Sequence, residues 1–253
     1  MTLPAAFLKG HIAHRGLHGI GADGAGRPEN SMAAFRAAVE LGVAIELDLQ
    51  PSSDGHAMVF HDYDLARLTV RDDKVGSFTA KALSQTGLRG GDAGIPTLEA
   101  VLEMIAGRVP VLIEVKDQDG QMGPDVGPLE AAAMAALDGY VGDVAVMSFN
   151  PHSVACFQRD APHLSRGLVT SAFDADHWPE LTESTRDHLA AIPDFDRLGC
   201  DFISHQADAL NMPRVSELKR AGAAILCWTI RSPAQEAEAR KIADAVTFEG
   251  YLP

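Results

Sequence analysis

A (β/α)8 TIM barrel, an α/β fold with a small insertion after the third strand, is the fold class this sequence predicts. Short apolar runs alternate with longer runs at helical spacing along the chain. Eight strand-like runs, most followed by a helix-like one, fit the size of such a barrel within 253 residues. Nothing resembles a linker, so residues 1–253 are expected to form one domain. An open doubly wound sheet is the alternative arrangement of the same alternation.

The first expected strand is "HIAH" (11–14), followed by a helix over "NSMAAFRAAVELG" with Asn30 as its cap and Gly42 as its stop. "VAIELDLQ" (43–50) and "HAMVFH" (56–61) read as the second and third strands, separated by the turn "SSDG". Residues 62–95 break the rhythm. Polar and ending in glycines, they are expected to form the insertion at the barrel mouth. "TLEAVLEMIAG" (97–107) is a helix capped by Thr97, and "VPVLIEVK" (109–116) the next strand. Strands are then expected at 144–149, 165–170, 200–205 and 223–230, with helices between them and over 233–243.

Acidic residues outnumber Lys plus Arg by 35 to 21, a formal charge of −14. Such a surface repels nucleic acid and anionic lipid, and an anionic substrate would need locally placed cations or a metal. Cys156, Cys200 and Cys227 show no metal-binding spacing and read as reduced thiols. The first residues lack a basic segment and a cleavage site, and no apolar run approaches the roughly 20 residues of a membrane span. These features lead to an expectation of a cytoplasmic protein with a small-molecule substrate, without nucleic-acid binding or stable membrane association.

In a (β/α)8 barrel the active site forms at the C-terminal ends of the strands. Here the first strand ends in His14 and Arg15, the second in Glu46, Asp48 and Gln50, the third in His61 and Asp62, the fourth in Glu114 and Lys116. Side chains alternate across a strand. Ile45, Leu47 and Leu49 must face the helices, which turns Glu46 and Asp48 inward; by the same phase Glu114 and Lys116 point inward. Glu46, Asp48 and Glu114 contribute −3 and Arg15 with Lys116 +2, a sum of −1. Unpaired buried charges cost several kcal/mol each. A divalent cation and a monoanionic phosphodiester together bring the sum to zero. All-oxygen ligands favour Mg2+ or Ca2+, with Mn2+ also compatible, over zinc or copper. His14 and His61 read as acid/base groups rather than ligands. The bland alternative is a salt-bridge cluster that plugs the barrel.

Phe149 and Trp228 also sit at strand ends, where they can wall a pocket or pack in the core. His205 reads as a surface-loop residue, His11 and His18 as exposed, and Glu29 as a group that can orient a site residue. The spacing of "HIAHRGLH" suits no three-histidine metal site on one strand face.

"AHRG…RPENSMAAF", "IELDLQPSSDGHAMVFHD", "IPTLEAVLEMI" and "VLIEVK", in this order from residue 12 to 116, resemble the glycerophosphodiester phosphodiesterase family. "VMSFNP" and "CWTI" extend the likeness more loosely. The resemblance implies a TIM-barrel hydrolase that cleaves glycerophosphodiesters to glycerol 3-phosphate and an alcohol. It implies a divalent cation on Glu46, Asp48 and Glu114, His14 and His61 as the acid/base pair, and Arg15 and Lys116 on the phosphate. Two departures touch the barrel mouth and closure: a longer loop from Gly16 to Arg27, and the ending "AVTFEGYLP". Alternative readings of the same residues are a related barrel phospholipase or lyase releasing a cyclic phosphate, and a non-catalytic phosphodiester-binding protein.

Overall fold

The computed structural model describes residues 2–19 and 26–253. Nine strands run β1 (His11–Ala13), β2 (Ala44–Pro51), β3 (Ala57–Val59), β4 (Val111–Val115), β5 (Val144–Ser148), β6 (Ser165–Thr170), β7 (Phe202–Gln206), β8 (Ala224–Ile230) and β9 (Ala245–Phe248) among the described residues. Eight of them, all but β3, pair in parallel and close into a ring through β1–β2 and β1–β9. The fold is a closed (β/α)8 barrel.

The membership of the ring differs from the sequence reading in one place. The expected third strand, 56–61, forms β3, which runs antiparallel to β2 and stands outside the ring. Its cause is legible in hindsight. A parallel neighbour needs a crossover of a dozen or more residues, whereas "SSDG" is a tight turn, with Gly55 at φ +83°. The eighth ring position is taken by β9, a segment the sequence reading treated only as the chain's ending. Residues 62–95 therefore follow a hairpin built on the second ring strand.

Helices α1 (Met32–Leu41), α2 (Ala80–Ser84), α3 (Leu98–Ile105), α4 (Pro128–Leu137), α5 (Pro151–Asp160), α6 (Glu183–Ala191), α7 (Asp194–Arg197), α8 (Pro213–Arg220) and α9 (Pro233–Ala239) fill the connections. The outward phase of the strands meets them: Ile45, Leu47, Leu49, Val111, Ile113 and Val115 share one core with Phe35, Leu98, Val101, Leu129 and Phe157. The inward phase makes a second core. Ile12, Ala44, Leu112, Ala145, Phe202, Leu226 and Ala245 fill the barrel, and Leu3 and Phe7 of the N-terminal segment join them. One alternation further toward the C-terminal ends, the same inward phase carries Glu46, Glu114, Ser204 and Thr247.

Residues 62–95 are less polar in their packing than in composition. Leu65, Val75, Leu83, Leu88 and Ile95 bury themselves against Met58 and Phe60 as a small core of their own. The three cysteines are unpaired, and burial pushes the Cys200 and Cys227 thiols up to about 12, which leaves them inert at neutral pH.

His205, expected on the surface, is fully buried in β7. Its Nδ1 lies 2.7 Å from Thr170 Oγ1 and its Nε2 3.1 Å from the Ala209 carbonyl. A carbonyl only accepts, so Nε2 carries the proton and Nδ1 accepts from the Thr170 hydroxyl. Burial lowers its pKa from 6.5 to about 4. Between those values the unfolded chain binds a proton that the folded chain does not. Stability is therefore complete above pH 6.5 and falls as pH drops toward 4, by about 3 kcal/mol from this group. Urea unfolding of wild type and His205→Gln at pH 7.5 and pH 4.5 checks it: wild type should lose more stability on acidification than the variant. Equal losses would show that His205 titrates alike in both states.

Candidate active site

The turn after β1 is built to bring two side chains back over the barrel. Arg15 lies at φ +53° and Gly16 at φ +79°. A Cβ at Gly16 would stand 2.9 Å from the Phe35 ring, so the turn needs glycine there. The Arg15 amide donates to Glu46 Oε2 at 2.9 Å, which ties the turn to the neighbouring strand. Asn30, expected as a helix cap, is not one. Ser31 caps α1 by accepting from the Ala34 amide. Asn30 sits at φ +54° and its amide donates to Asp48 Oδ2 at 2.8 Å.

Around these lie the buried acids. Glu46 and Asp48 on β2 and Glu114 on β4 each offer an oxygen, all within 4.8 Å of one another. Lys116 Nζ bridges two of them, at 2.7 Å from Asp48 Oδ1 and 2.6 Å from Glu114 Oε1. Arg15 Nε stands 3.4 Å from Asp48 Oδ2. Burial would push Asp48 up, but Lys116, His61 and Arg15 outweigh it and hold its carboxyl well below the usual range. Glu46 lacks such support. Burial, then the charges of Asp48 and Glu114, push its carboxyl well above the usual value. A buried carboxylate trio offering oxygen donors alone fits a hard divalent cation.

His14 Nδ1 lies 2.6 Å from Glu249 Oε2, and His61 Nδ1 2.7 Å from Asp62 Oδ1. Both carboxylates are held ionised: Glu249 by the His14 contact, His18 and Arg231, Asp62 by His61 and Arg67. An ionised carboxylate only accepts, so each histidine carries its proton on Nδ1 and presents Nε2. Burial outweighs the Glu249 bond and lowers the pKa of His14, which keeps the ring neutral at pH 7. His61 does not leave a ring strand. It follows β3, and Gln50 Nε2 anchors it by donating to its carbonyl at 3.1 Å.

A cavity of about 160 Å3 gathers His14, Arg15, Glu46, His61, Glu114 and Lys116 on its wall. Phe149 and Trp228 line it as well, edge to face with ring centroids 5.6 Å apart. Trp228 Nε1 donates to the Ser204 carbonyl at 3.0 Å, which fixes the ring. Asp48 lies just behind, reached through Lys116 and Arg15. All the expected site residues thus converge on one end of the barrel.

The site also holds residues that the sequence reading missed. Glu249 is one; it continues the inward phase Ala245, Thr247, and recognising β9 would have found it. The buried hydroxyls of Ser204 and Thr247, both on the cavity wall, have no hydrogen-bond partner among the described residues. Behind Phe149, Trp178 packs against its ring with centroids 4.9 Å apart and Phe173 follows, both from the loop after β6. His11 and His18, expected exposed, are half-buried: His11 Nε2 lies 2.6 Å from Glu236 and His18 Nε2 3.8 Å from Glu249. Of the expected loop 16–27, residues 20–25 lie outside the described residues.

Arg67, from the 62–95 segment, is the least expected. It donates to Asp62 at 2.7 and 2.9 Å and to Glu29 at 2.7 and 2.8 Å. Glu29 in turn accepts from Arg15 at 2.7 Å. One guanidinium thus clasps the carboxylate behind His61 to the carboxylate behind Arg15. The expectation that Glu29 orients a site residue holds, and Arg67 and Arg15 lower its pKa to about 2 against the effect of burial.

The glycerophosphoryl diester phosphodiesterase family matches residues 14–248. The chain belongs to that family. A glycerophosphodiester phosphodiesterase of Caldanaerobacter subterraneus subsp. tengcongensis is 35% identical over 177 residues, 66% of this chain and 69% of the relative. One from Bacillus altitudinis is 31% identical, over 72% of this chain and 71% of the relative. An Oleispira antarctica phosphodiesterase, solved in complex with the product sn-glycerol-3-phosphate, superposes with a TM-score of 0.77 at 25% identity, covering 96% of this family member and 94% of that chain. A Parabacteroides distasonis structure at 21% identity shares the fold, with a TM-score of 0.74. No helix among the described residues is long and apolar enough to cross a membrane.

Arg67→Ala leaves Glu29 and Asp62 short of partners. Urea unfolding at pH 7 should show a loss of about 1–3 kcal/mol, the cost of stranding partly buried acceptors. A loss near zero would show the clasp to be screened by solvent.

Proposed function

We propose that residues 1–253 act as one domain that hydrolyses glycerophosphodiesters to glycerol 3-phosphate and an alcohol. What carries this reading is the pairing of two Nδ1-anchored histidines across a cavity that also holds a carboxylate trio and two cations. Family membership narrows the phosphodiester to a glycerol one, and the product named for the Oleispira antarctica relative supports it.

Arg15 and Lys116 take the phosphodiester, whose single charge they match at close range. Glu46, Asp48 and Glu114 would hold one divalent cation, Mg2+ or Ca2+ with Mn2+ also compatible, which when bound polarises a phosphoryl oxygen. His14 is the base: Glu249 holds its Nδ1 proton, burial keeps the ring neutral, and Nε2 is the nitrogen left to take a proton from the attacking hydroxyl. His61 is the acid. Asp62 fixes the ring through Nδ1, and Nε2, having first taken a proton from solvent, delivers that proton to the leaving alkoxide. Phe149 and Trp228 wall the substrate and exclude water on their side. Ser204 and Thr247 supply hydroxyl partners for the polar end of the ligand, which ends their isolation. We place the reaction in the cytoplasm, a reducing compartment that suits three unpaired cysteines.

A panel of glycerophosphodiesters with coupled detection of glycerol 3-phosphate tests the activity; the reading predicts its release from at least one, and release from none contradicts it. His14→Ala and His61→Ala should each lower kcat by about 10²–10⁴-fold while circular dichroism stays unchanged. Ordinary turnover in either variant removes that histidine from its role. Chelation with EDTA should abolish turnover, and Glu46→Gln should raise the Mg2+ or Ca2+ concentration needed to restore it. A rate indifferent to chelation rules the cation out.

A further inference from the structure

Beside the all-oxygen trio stands a cluster of different chemistry. One nitrogen each of His14 and His18 and one oxygen of Glu249 lie within 4.8 Å of one another. Glu249 Oε1 is taken by Arg231 at 2.7 Å. Its Oε2 faces both rings, 2.6 Å from His14 Nδ1 and 3.8 Å from His18 Nε2. The second distance is too long for a hydrogen bond. His18 Nε2 is nevertheless buried and has no hydrogen-bond partner among the described residues. A buried polar atom without a partner is costly, and its isolation calls for an occupant.

Two imidazoles and a carboxylate are the donor set of zinc sites, and imidazole suits borderline ions over Mg2+ or Ca2+. We propose that His14, His18 and Glu249 form a second, inhibitory site for a transition-metal ion of the Zn2+ class, distinct from the Glu46, Asp48 and Glu114 trio. Binding exchanges the His14–Glu249 hydrogen bond for ligand bonds. The His14 Nδ1 proton leaves to solvent, the ion takes that nitrogen's lone pair and the Glu249 oxygen, and His18 Nε2 completes the set. A ring coordinated through Nδ1 gives up electron density and is a poorer base at Nε2. The occupied site also lies at the cavity wall that His14 shares. Arg231 beside Glu249 limits the affinity, which suits a reversible inhibitor better than a resident cofactor.

That binding inhibits rests on His14 acting as proposed above; that the ion binds does not. Zn2+ is therefore titrated calorimetrically into wild type, Glu46→Gln, His18→Ala and His18→Gln at saturating Mg2+, with glycerophosphodiester turnover followed in parallel. One Zn2+ site is expected in wild type and in Glu46→Gln. In both His18 variants it should weaken at least about 10-fold, the scale on which even outer partners of metal ligands act. In the His18 variants, inhibition by Zn2+, read relative to each variant's own turnover without Zn2+, should weaken in step with binding. The proposal falls if wild type binds no Zn2+, if the His18 variants bind it as tightly as wild type, or if Glu46→Gln alone abolishes binding. Should no diester be turned over, calorimetry still decides the site, and only the catalytic reading fails.

Discussion

Asp48 Oδ1 against Lys116 Nζ at 2.7 Å is the contact on which the site depends. Asp48 is 1% exposed. A carboxylate so placed must be matched or it will protonate. Lys116, Arg15 and the Asn30 amide supply the match from three separate segments. In meeting this one charge they fix the loop after β1, the start of α1 and the end of β4. Glu46 and Glu114 then share what positive charge remains, and it does not suffice. Glu46 is the group left over, and burial, then the charges of Asp48 and Glu114, raise its pKa.

The barrel makes this shortage tolerable. Its lower interior is apolar, closed by Phe202, Leu226 and the N-terminal Phe7. Ionisable groups appear only where the inward phase reaches the C-terminal strand ends, near a cavity that admits water or ligand. Outside the ring a second tier holds the chemistry in place. Glu249 and Asp62 set the histidine tautomers, and Arg67 ties Asp62 to Glu29 and so to Arg15. The 62–95 segment thus contributes two side chains, Asp62 and Arg67, beside its own small core.

Much of this was legible in the sequence because the period-2 rule is strict. Once Ile45, Leu47 and Leu49 are assigned to the helices, Glu46 and Asp48 can only face inward, and Glu114 follows by the same phase. Two errors came from topology rather than from pattern. Residues 57–59 have strand composition, yet only the length of the preceding turn shows that they cannot join a parallel ring. Residues 245–248 are a strand of four, read as a tail, and Glu249 was lost with them. Long-range polar contacts left weaker traces. Asn30 looks like a cap by type, and only its left-handed backbone turns it toward Asp48. His205 looks like a loop residue until Thr170, 35 positions away, is seen beside it. Nothing local in "DLARLT" signals that Arg67 would bridge two carboxylates.

The family accounts for the order of the motifs, and the physical reading for why they must meet. Both converge on the claim that the acidic trio is a cation site. Crystals soaked in Mn2+ test this most directly through the ion's anomalous scattering. The account predicts one strong peak bounded by carboxylate oxygens of Glu46, Asp48 and Glu114. A map with no peak there, or with Lys116 still bridging Asp48 and Glu114 at saturating Mn2+, would contradict it.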